Sequence, residues 1–367
     1  MGVTEQIRNW FEHFHAHPEV SWKEQETTNE IARILTELGV SFKTFDDVTG
    51  VIAEIGEGDS VTAVRADIDA LWQEVDGVYQ ANHSCGHDGH MAMVLGALRL
   101  LKDEQLGGRI RFIFQPAEEK GNGSNAMIDH GAVEDVTYLF GIHLRPQEEL
   151  PLGQASAAIR HGAAYFVEGA IQGVDAHGAR PHQGNNAVDP LLAIGQFLKT
   201  IQFSPYDAYS AKLTHIQAGG ESLNIIPGSA KFGMDIRSQS NDVLQQLQQR
   251  IDKGVQQIAE LFDTKIELKW TDYTPAAEVS DEAAAIAREG ILETLGEQGL
   301  ASDVVTSGSD DFHFYTIRHP ELKATMIGLG ADLGPGLHHP EMEFDRDALV
   351  TGAEILAETL KRASFKA

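Results

Sequence analysis

Apolar residues recur at helical spacing over residues 4–14 and again over 21–38, and Gly39 closes the second run as a helix C-terminal stop does. The pattern predicts two surface helices. Short strands over 51–55 and 61–66 flank the turn Gly56-Glu57-Gly58-Asp59, and residues 109–115 alternate, with Ile110, Phe112 and Phe114 on one face. Between these strands, residues 90–102 are apolar enough for a buried helix. Strand, helix and strand at these lengths make an α/β unit, whose parallel strands carry functional groups at their C-terminal ends.

A second pattern follows: a strand over 163–172, a helix over 187–203, strands over 212–217 and 230–238, a Gln-rich helix over 242–262 and a strand over 265–270. This β-α-β-β-α-β order predicts a small ferredoxin-like domain. A helix over 281–295, a strand over 323–327 and a helix over 346–361 then resume the α/β rhythm. The chain therefore reads as a discontinuous domain, 1–162 and 275–367, interrupted by an inserted domain at 163–274. No internal repeat or low-complexity tract appears, and the glutamines over 244–257 read as a solvated helix face.

Composition narrows the partners. With 367 residues, 42% hydrophobic and 23% charged, the chain can bury two cores and is not a disordered polymer. Asp and Glu total 55 against 28 Lys and Arg, leaving a net charge of −27 that repels phosphate backbones and anionic membranes. Neither nucleic acid nor a membrane is an expected partner. Cys85 is the single cysteine, so no disulfide forms within the chain, which suits a reducing cytoplasm. Residues 1–20 are broken by charges, histidines and Pro18 and lack the apolar core of a signal peptide. Gln6 stands where a myristoylation start has Ser or Thr. No apolar run approaches the roughly 18 residues of a membrane span. The expectation is a soluble cytoplasmic protein.

The densest chemical signal is His83-Ser84-Cys85-Gly86-His87-Asp88-Gly89-His90, directly before the predicted buried helix. Cys and His two apart can bind one soft or borderline divalent ion, with the glycines letting the backbone bend around it. A polar loop with a helix-capping Asp88 is the plainer alternative. Gln115-Pro116-Ala117-Glu118-Glu119 follows a strand expected to be central. Adjacent carboxylates there can divide labour, one on a metal and the other taking a proton from water, although first-turn acids also simply offset a helix dipole. Both segments should open onto the same sheet edge, which favours a site. His143, closing the apolar run from Phe140, and His338 in Gly336-Leu337-His338-His339-Pro340 complete a ligand count for two ions when joined to Cys85, His87 and Glu119. Asp67, at another strand end, could hold a ligating histidine in its binding tautomer. In the inserted domain, the stretch from His177 to His182, Asn224-Ile225-Ile226-Pro227 and Arg237 concentrate donors suited to a carboxylate or an oxyanion.

Taken in order, these segments resemble the M20 metallopeptidase family, and within it the amidohydrolase subfamily of N-acyl-amino-acid, hippurate and auxin-conjugate hydrolases. The resemblance spans nearly the whole chain. It rests on RADIDAL from Arg65, CGHDGH from Cys85, FQPAEE from Phe114, GIH from Gly141, HGARPH from His177, NIIP from Asn224, SDDF from Ser309 and LHHP from Leu337. It implies an α/β fold: a mixed-sheet, zinc-peptidase-like catalytic domain with an inserted ferredoxin-like lid and dimerisation domain. It further implies that Cys85, His87, Glu119, His143 and His338 hold two divalent metal ions (Zn, Mn or Co), with the Cys85 thiolate replacing the bridging carboxylate of other branches. Glu118 would be the general base, His177 would act on the scissile carbonyl, and Asn224 and Arg237 would hold the substrate's free carboxylate. The implied reaction is hydrolysis of a small N-acyl amino acid by a water whose pKa the ions lower toward about 7. A homodimer through the inserted domain is implied as well. Three positions depart from or test the pattern: Trp72 stands where the family has Pro, SDDF replaces SEDF, and His339 fills a variable position beside His338. Two rival readings are a metal-dependent dipeptidase or aminopeptidase, which needs an acid for the substrate's ammonium, and a non-catalytic sensor, which would lack a base or a ligand. No Gly-x-Ser-x-Gly elbow or phosphate-binding loop occurs.

Overall fold

The computed structural model describes residues 2–367, which form two compact units. The first comprises the chain up to Arg160 with Glu278–Val305 and Asp310–Ala367; the second comprises His161–Ala277 and Thr306–Ser309.

In the first unit, helix α1 (Val3–Ala16) buries Ile7, Trp10, Phe11 and Phe14, a single stripe at helical spacing. Helix α2 (Gln25–Leu38) stops at Gly39, whose φ of 70° lets its N–H turn back onto the carbonyls of Leu35 and Thr36. The helix expected from residue 21 starts at Gln25 because the preceding residues are tied elsewhere: Ser21 Oγ donates to Asp69 Oδ2 at 2.6 Å, and Val20 bridges Ala70. Strands β1 (Ser41–Lys43), β2 (Val51–Ile55) and β3 (Val61–Asp67) follow, then a hairpin of β4 (Leu71–Val75) and β5 (Val78–Asn82). Helix α3 (His87–Leu101), strand β6 (Arg109–Gln115), helix α4 (Gly123–Asp129) and strand β7 (Val136–Pro146) complete this half.

The eight-stranded sheet runs β1, β2, β6, β3, β7, then Lys323–Leu333, Ala155–Ser156 and Leu300–Ala301. β3 lies parallel to β6 and β7, and β7 lies parallel to Lys323–Leu333, while β2 meets β6 antiparallel. The sheet is therefore mixed, with a parallel centre whose C-terminal ends share one edge. Every residue of β3 is buried, as a central strand requires. α3 packs closely between α1 and the closing helix Ala348–Ser364: a Cβ added at Gly96 would lie 2.7 Å from Ile7 Cδ1 and 2.8 Å from Ala353 Cβ.

The second unit carries a four-stranded antiparallel sheet ordered Tyr209–Ala218, Ser229–Ser238, Ala163–Gln172 and Lys265–Thr274, with helices Val188–Leu198 and Asn241–Leu261. Val167, Ile171, Ile194, Met234, Ile236 and Leu247 belong to its buried core. Its element order is the β-α-β-β-α-β series read from the sequence.

Two features of the first unit exceed the sequence expectations. β7 is an 11-residue strand where only the apolar run ending near His143 stood out. The β4–β5 hairpin was not anticipated, although its turn is Asp76-Gly77, with φ of 51° and 80°, the backbone that a two-residue hairpin turn demands.

Candidate metal centre

The centre is assembled where β3, β6, β7 and Lys323–Leu333 end. Leaving β3, the chain directs Asp67 and Asp69 inward, both almost fully buried. Cys85 follows the hairpin, and Gly86, at φ 87°, turns the backbone into α3 so that His87 is its first residue. Leaving β6, Ala117 adopts φ 51°, its N–H held by Glu24 Oε1 at 2.9 Å, and Glu118 and Glu119 follow in a single 3₁₀ turn. This turn lies hard against α4, where a Cβ at Gly123 would come within 1.6 Å of the Pro116 carbonyl oxygen. His143 projects from β7, and His338 sits in the loop after Lys323–Leu333 with φ 64°.

These side chains converge in two sets of three, each within 4.8 Å: Cys85, His87 and His143, and Cys85, Glu119 and His338. Cys85 belongs to both. Its Sγ lies 3.7 Å from His143 Nε2, and His338 Nε2 lies 3.4 Å from Glu119 Oε1. His87 Nε2 stands 3.9 Å from both Glu118 Oε2 and Glu119 Oε1. His87 Nε2 and Glu119 Oε1 are buried without a hydrogen-bond partner among the described residues, an expensive state for polar atoms. Two ligands of a tetrahedral zinc, each about 2.0–2.3 Å from it, sit roughly 3.3–3.8 Å apart, a range that holds both separations within a set, Cys85 to His143 and His338 to Glu119. A thiol, three imidazoles and a carboxylate are a donor set for borderline divalent ions, so the residues fit the pair of cations.

Hydrogen bonds orient the histidine rings of these sets. The His87 Nδ1–H donates to the Asp69 carbonyl at 2.9 Å, with Asp69 Oδ1 at 3.2 Å, which leaves Nε2 bare. The His143 Nδ1–H donates to the Leu144 carbonyl at 2.6 Å, with the same result. His90 is different: Nδ1 bonds Asp67 Oδ1 at 2.7 Å and Nε2 accepts from Leu144 N–H at 3.1 Å, so both nitrogens are spent. The histidine that Asp67 holds is thus His90, while the ligand-set His87 is held by Asp69. His339 is exposed and its Nδ1 accepts from Glu341 N–H.

The charges are unequal. Arg65 is buried in the middle of β3, donating through Nε to Gln115 Oε1 at 2.9 Å and through Nη2 to Asp311 Oδ1 at 2.9 Å, with a close pair to Asp67. One guanidinium cannot neutralise Asp67, Asp310, Asp311, Glu118 and Glu119 together, and the remainder attracts cations. Burial pushes the Cys85 thiol up to about 12, with Glu119 adding to it. Burial pulls His87 down, but Asp67 and Cys85 outweigh it and carry its pKa well above the usual value. Burial and the neighbours His90 and Arg145 press His143 well below the usual histidine range, which keeps its ring neutral. Burial, Asp310 and Glu119 raise Glu118 well above the usual carboxylate range.

In the second unit, His177 and Asn224 are neighbours: His177 pairs with Ile225 in a two-stranded ladder, and the Gly178 N–H donates to the Asn224 carbonyl at 2.7 Å. His177 Nδ1 accepts from Ala179 N–H at 3.1 Å. Arg237 lies apart, eight residues from the near end of strand Ser229–Ser238, or roughly 26 Å at about 3.3 Å per residue. Its guanidinium binds Asp235 at 2.8 Å and stacks over Phe166.

Sequence reasoning gave no role to Asp69, His90 or Glu24, nor to the pairing of Arg65 with Asp310 and Asp311. The available signal was Arg65 itself, since a cation inside an apolar strand needs buried counterions.

Comparison with known proteins gives a consistent result. Residues 63–362 match the family model described as peptidase family M20/M25/M40. The chain is 31% identical to an N-acetylcysteine deacetylase of Bacillus subtilis (strain 168), over 94% of this chain and 93% of that one. It is 30% identical to the Arabidopsis thaliana IAA-amino acid hydrolase ILR1-like 4, over 95% of this chain and 83% of that one. Among solved structures it resembles the Bacillus subtilis YXEP protein, described as a dinuclear metal binding peptidase from the M20 family, at 27% identity and a TM-score of 0.82, covering 98% of this chain and 97% of that one.

Proposed function

The chain belongs to peptidase family M20/M25/M40, and from that premise we propose that it is a metal-dependent amidohydrolase that cleaves the amide bond of N-acyl amino acids. The observation that carries this reading is the sharing of Cys85 between two donor sets with Glu118 beside them. The relatives named above, an N-acetylcysteine deacetylase and an IAA-amino acid hydrolase, support a modified amino acid as the substrate.

Cys85, His87 and His143 would hold one divalent ion, and Cys85, Glu119 and His338 the other, with Zn, Mn and Co all suited to these donors. When bound, such a pair supplies Lewis acidity, acidifying water and polarising an amide carbonyl. Glu118 is the proton carrier of the chain. It takes the proton of the attacking water and delivers it to the leaving nitrogen, releasing a carboxylic acid and an amino acid. Cations beside a carboxylate weaken it as a base. Burial and the acidic neighbours Asp310, Glu119 and Asp311 offset that loss at Glu118. His177, from the neighbouring subunit of the proposed homodimer, is assigned to the scissile carbonyl, and Asn224 and Arg237 to the substrate's free carboxylate; these two lie toward opposite ends of strand Ser229–Ser238 within one chain, so one carboxylate would meet both only across the dimer. The reading includes a cytoplasmic location and a homodimer formed through the ferredoxin-like unit.

Kinetics on N-acetyl amino acids beside free-amine dipeptides test the reading, using protein reconstituted with each ion in turn. The N-acetylated compounds should be preferred by at least about tenfold in kcat/KM, a difference of 1.4 kcal/mol in transition-state binding. A preference for the free amine would make the protein an aminopeptidase or dipeptidase instead.

A further inference from the structure

Three histidines enter the two donor sets, and they are not held alike. His87 and His143 are 1% and 5% exposed, and a hydrogen bond from Nδ1 fixes each ring. The His338 side chain is 53% exposed, and among the described residues its Nδ1 has no hydrogen-bond partner. Its position comes from the backbone. At φ 64° its main chain is in the left-handed region, which a residue with a Cβ occupies only when the surroundings hold it there. Two bonds do so. The His338 N–H donates to the Ser84 carbonyl at 2.7 Å, one residue before Cys85. The His338 carbonyl accepts from Gln73 Nε2 at 3.1 Å.

Gln73 is itself oriented. Asn82, which pairs with Leu71 across the β4–β5 hairpin and so lies diagonal to Gln73, donates through Nδ2 to Gln73 Oε1 at 2.8 Å and also reaches the Pro340 carbonyl at 3.1 Å. This fixes which end of the Gln73 amide carries the donor. The hairpin connects Asp69 to Cys85 and grips the His338 loop on both sides of His339, by main-chain carbonyls only.

Resting on the function proposed above, we propose that Gln73, oriented by Asn82, is a positioning residue for His338, and that it sets the affinity of the Cys85, Glu119 and His338 ion without affecting the Cys85, His87 and His143 ion. Positioning of a ligand from outside the metal's own contacts is generally worth about 10–100-fold in affinity.

The test is equilibrium dialysis of full-length protein against buffered free Zn²⁺, with elemental analysis, for wild type, Gln73→Met and Gln73→Glu. Met preserves the size of the side chain and removes its polarity. Glu preserves the acceptor for Asn82, removes the donor to His338, and adds a charge that alone would tighten cation binding. Each variant should keep one ion at the wild-type affinity and hold the other about 10–100-fold more weakly. The melting temperature of the ion-free protein should not move. Wild-type affinity for both ions in either folded variant overturns the proposal, and so does equal weakening of both ions, which would mark a general loosening. A wild-type protein that takes up no ion would overturn the proposed function as well, so the two failures are distinguishable.

Discussion

Glu118 and Glu119 are adjacent and chemically identical, yet their surroundings divide them. Glu119 aims Oε1 at His338 and His87, whereas Glu118 faces His87 on one side and the Asp310 and Asp311 carboxylates on the other. A Glu118→Gln substitution keeps the shape and removes the proposed proton carrier. It should lower kcat by about 10²–10⁴ while elemental analysis still finds both ions bound; ordinary turnover in that variant would refute the base. The thiol supplies a second prediction. With Cys85 pushed up to about 12 and His87 well above its usual value, the ion-free centre carries protons near neutrality. Thiolate and neutral imidazole are the forms that bind, so uptake of ions expels those protons. A raised pKa means that the proton competes with the ion for these groups, and falling pH supplies more of that competitor. Affinity should therefore drop with acidification, by up to about tenfold per pH unit for each proton displaced. Calorimetric titrations with Zn²⁺ in buffers of different ionisation enthalpy would count the released protons, and a pH-independent affinity would contradict the arrangement. At this scale the sequence was most legible where residue type restricts chemistry, as at Cys85 and His87. It was least legible where two residues share a type and a face: Asp67 and Asp69 are two apart, and only the bend after β3 decides which one meets His87.

Elements were read well where burial repeats locally. α1 betrays itself by one stripe, and the helix Asp281–Leu295 has the bounds its pattern suggests. The order of strands did not follow from pattern, because nothing in the local period of β6 states that it lies between β2 and β3. The partners of Arg65 were equally hidden, since Asp310 is 245 residues away along the chain. Close packing around α3 gives a prediction for this scale. Gly96→Ala would add a methyl group against Ile7 and the Ala353 Cβ, and the gain in helix propensity does not relieve that contact. We expect a loss of about 1–3 kcal/mol, measured by chemical denaturation; unchanged stability would mean that the three helices pack more loosely than described.

For the whole molecule, the excess of acid that gives a net charge of −27 is partly concentrated where carboxylates and a thiol gather at one edge of the mixed sheet. No helix among the described residues is long and apolar enough to cross a membrane. The ferredoxin-like unit, legible from its element order, brings His177 beside Asn224 but sets Arg237 at the other end of a strand, a separation that sequence proximity concealed. The account depends above all on one thiol serving two cations. Anomalous diffraction at the zinc edge from crystals of the Zn²⁺-loaded protein examines that directly. Two peaks are predicted, both within about 2.5 Å of Cys85 Sγ, one also contacting His87 and His143 and the other Glu119 and His338. A single peak, or two peaks that do not share Cys85, would contradict it.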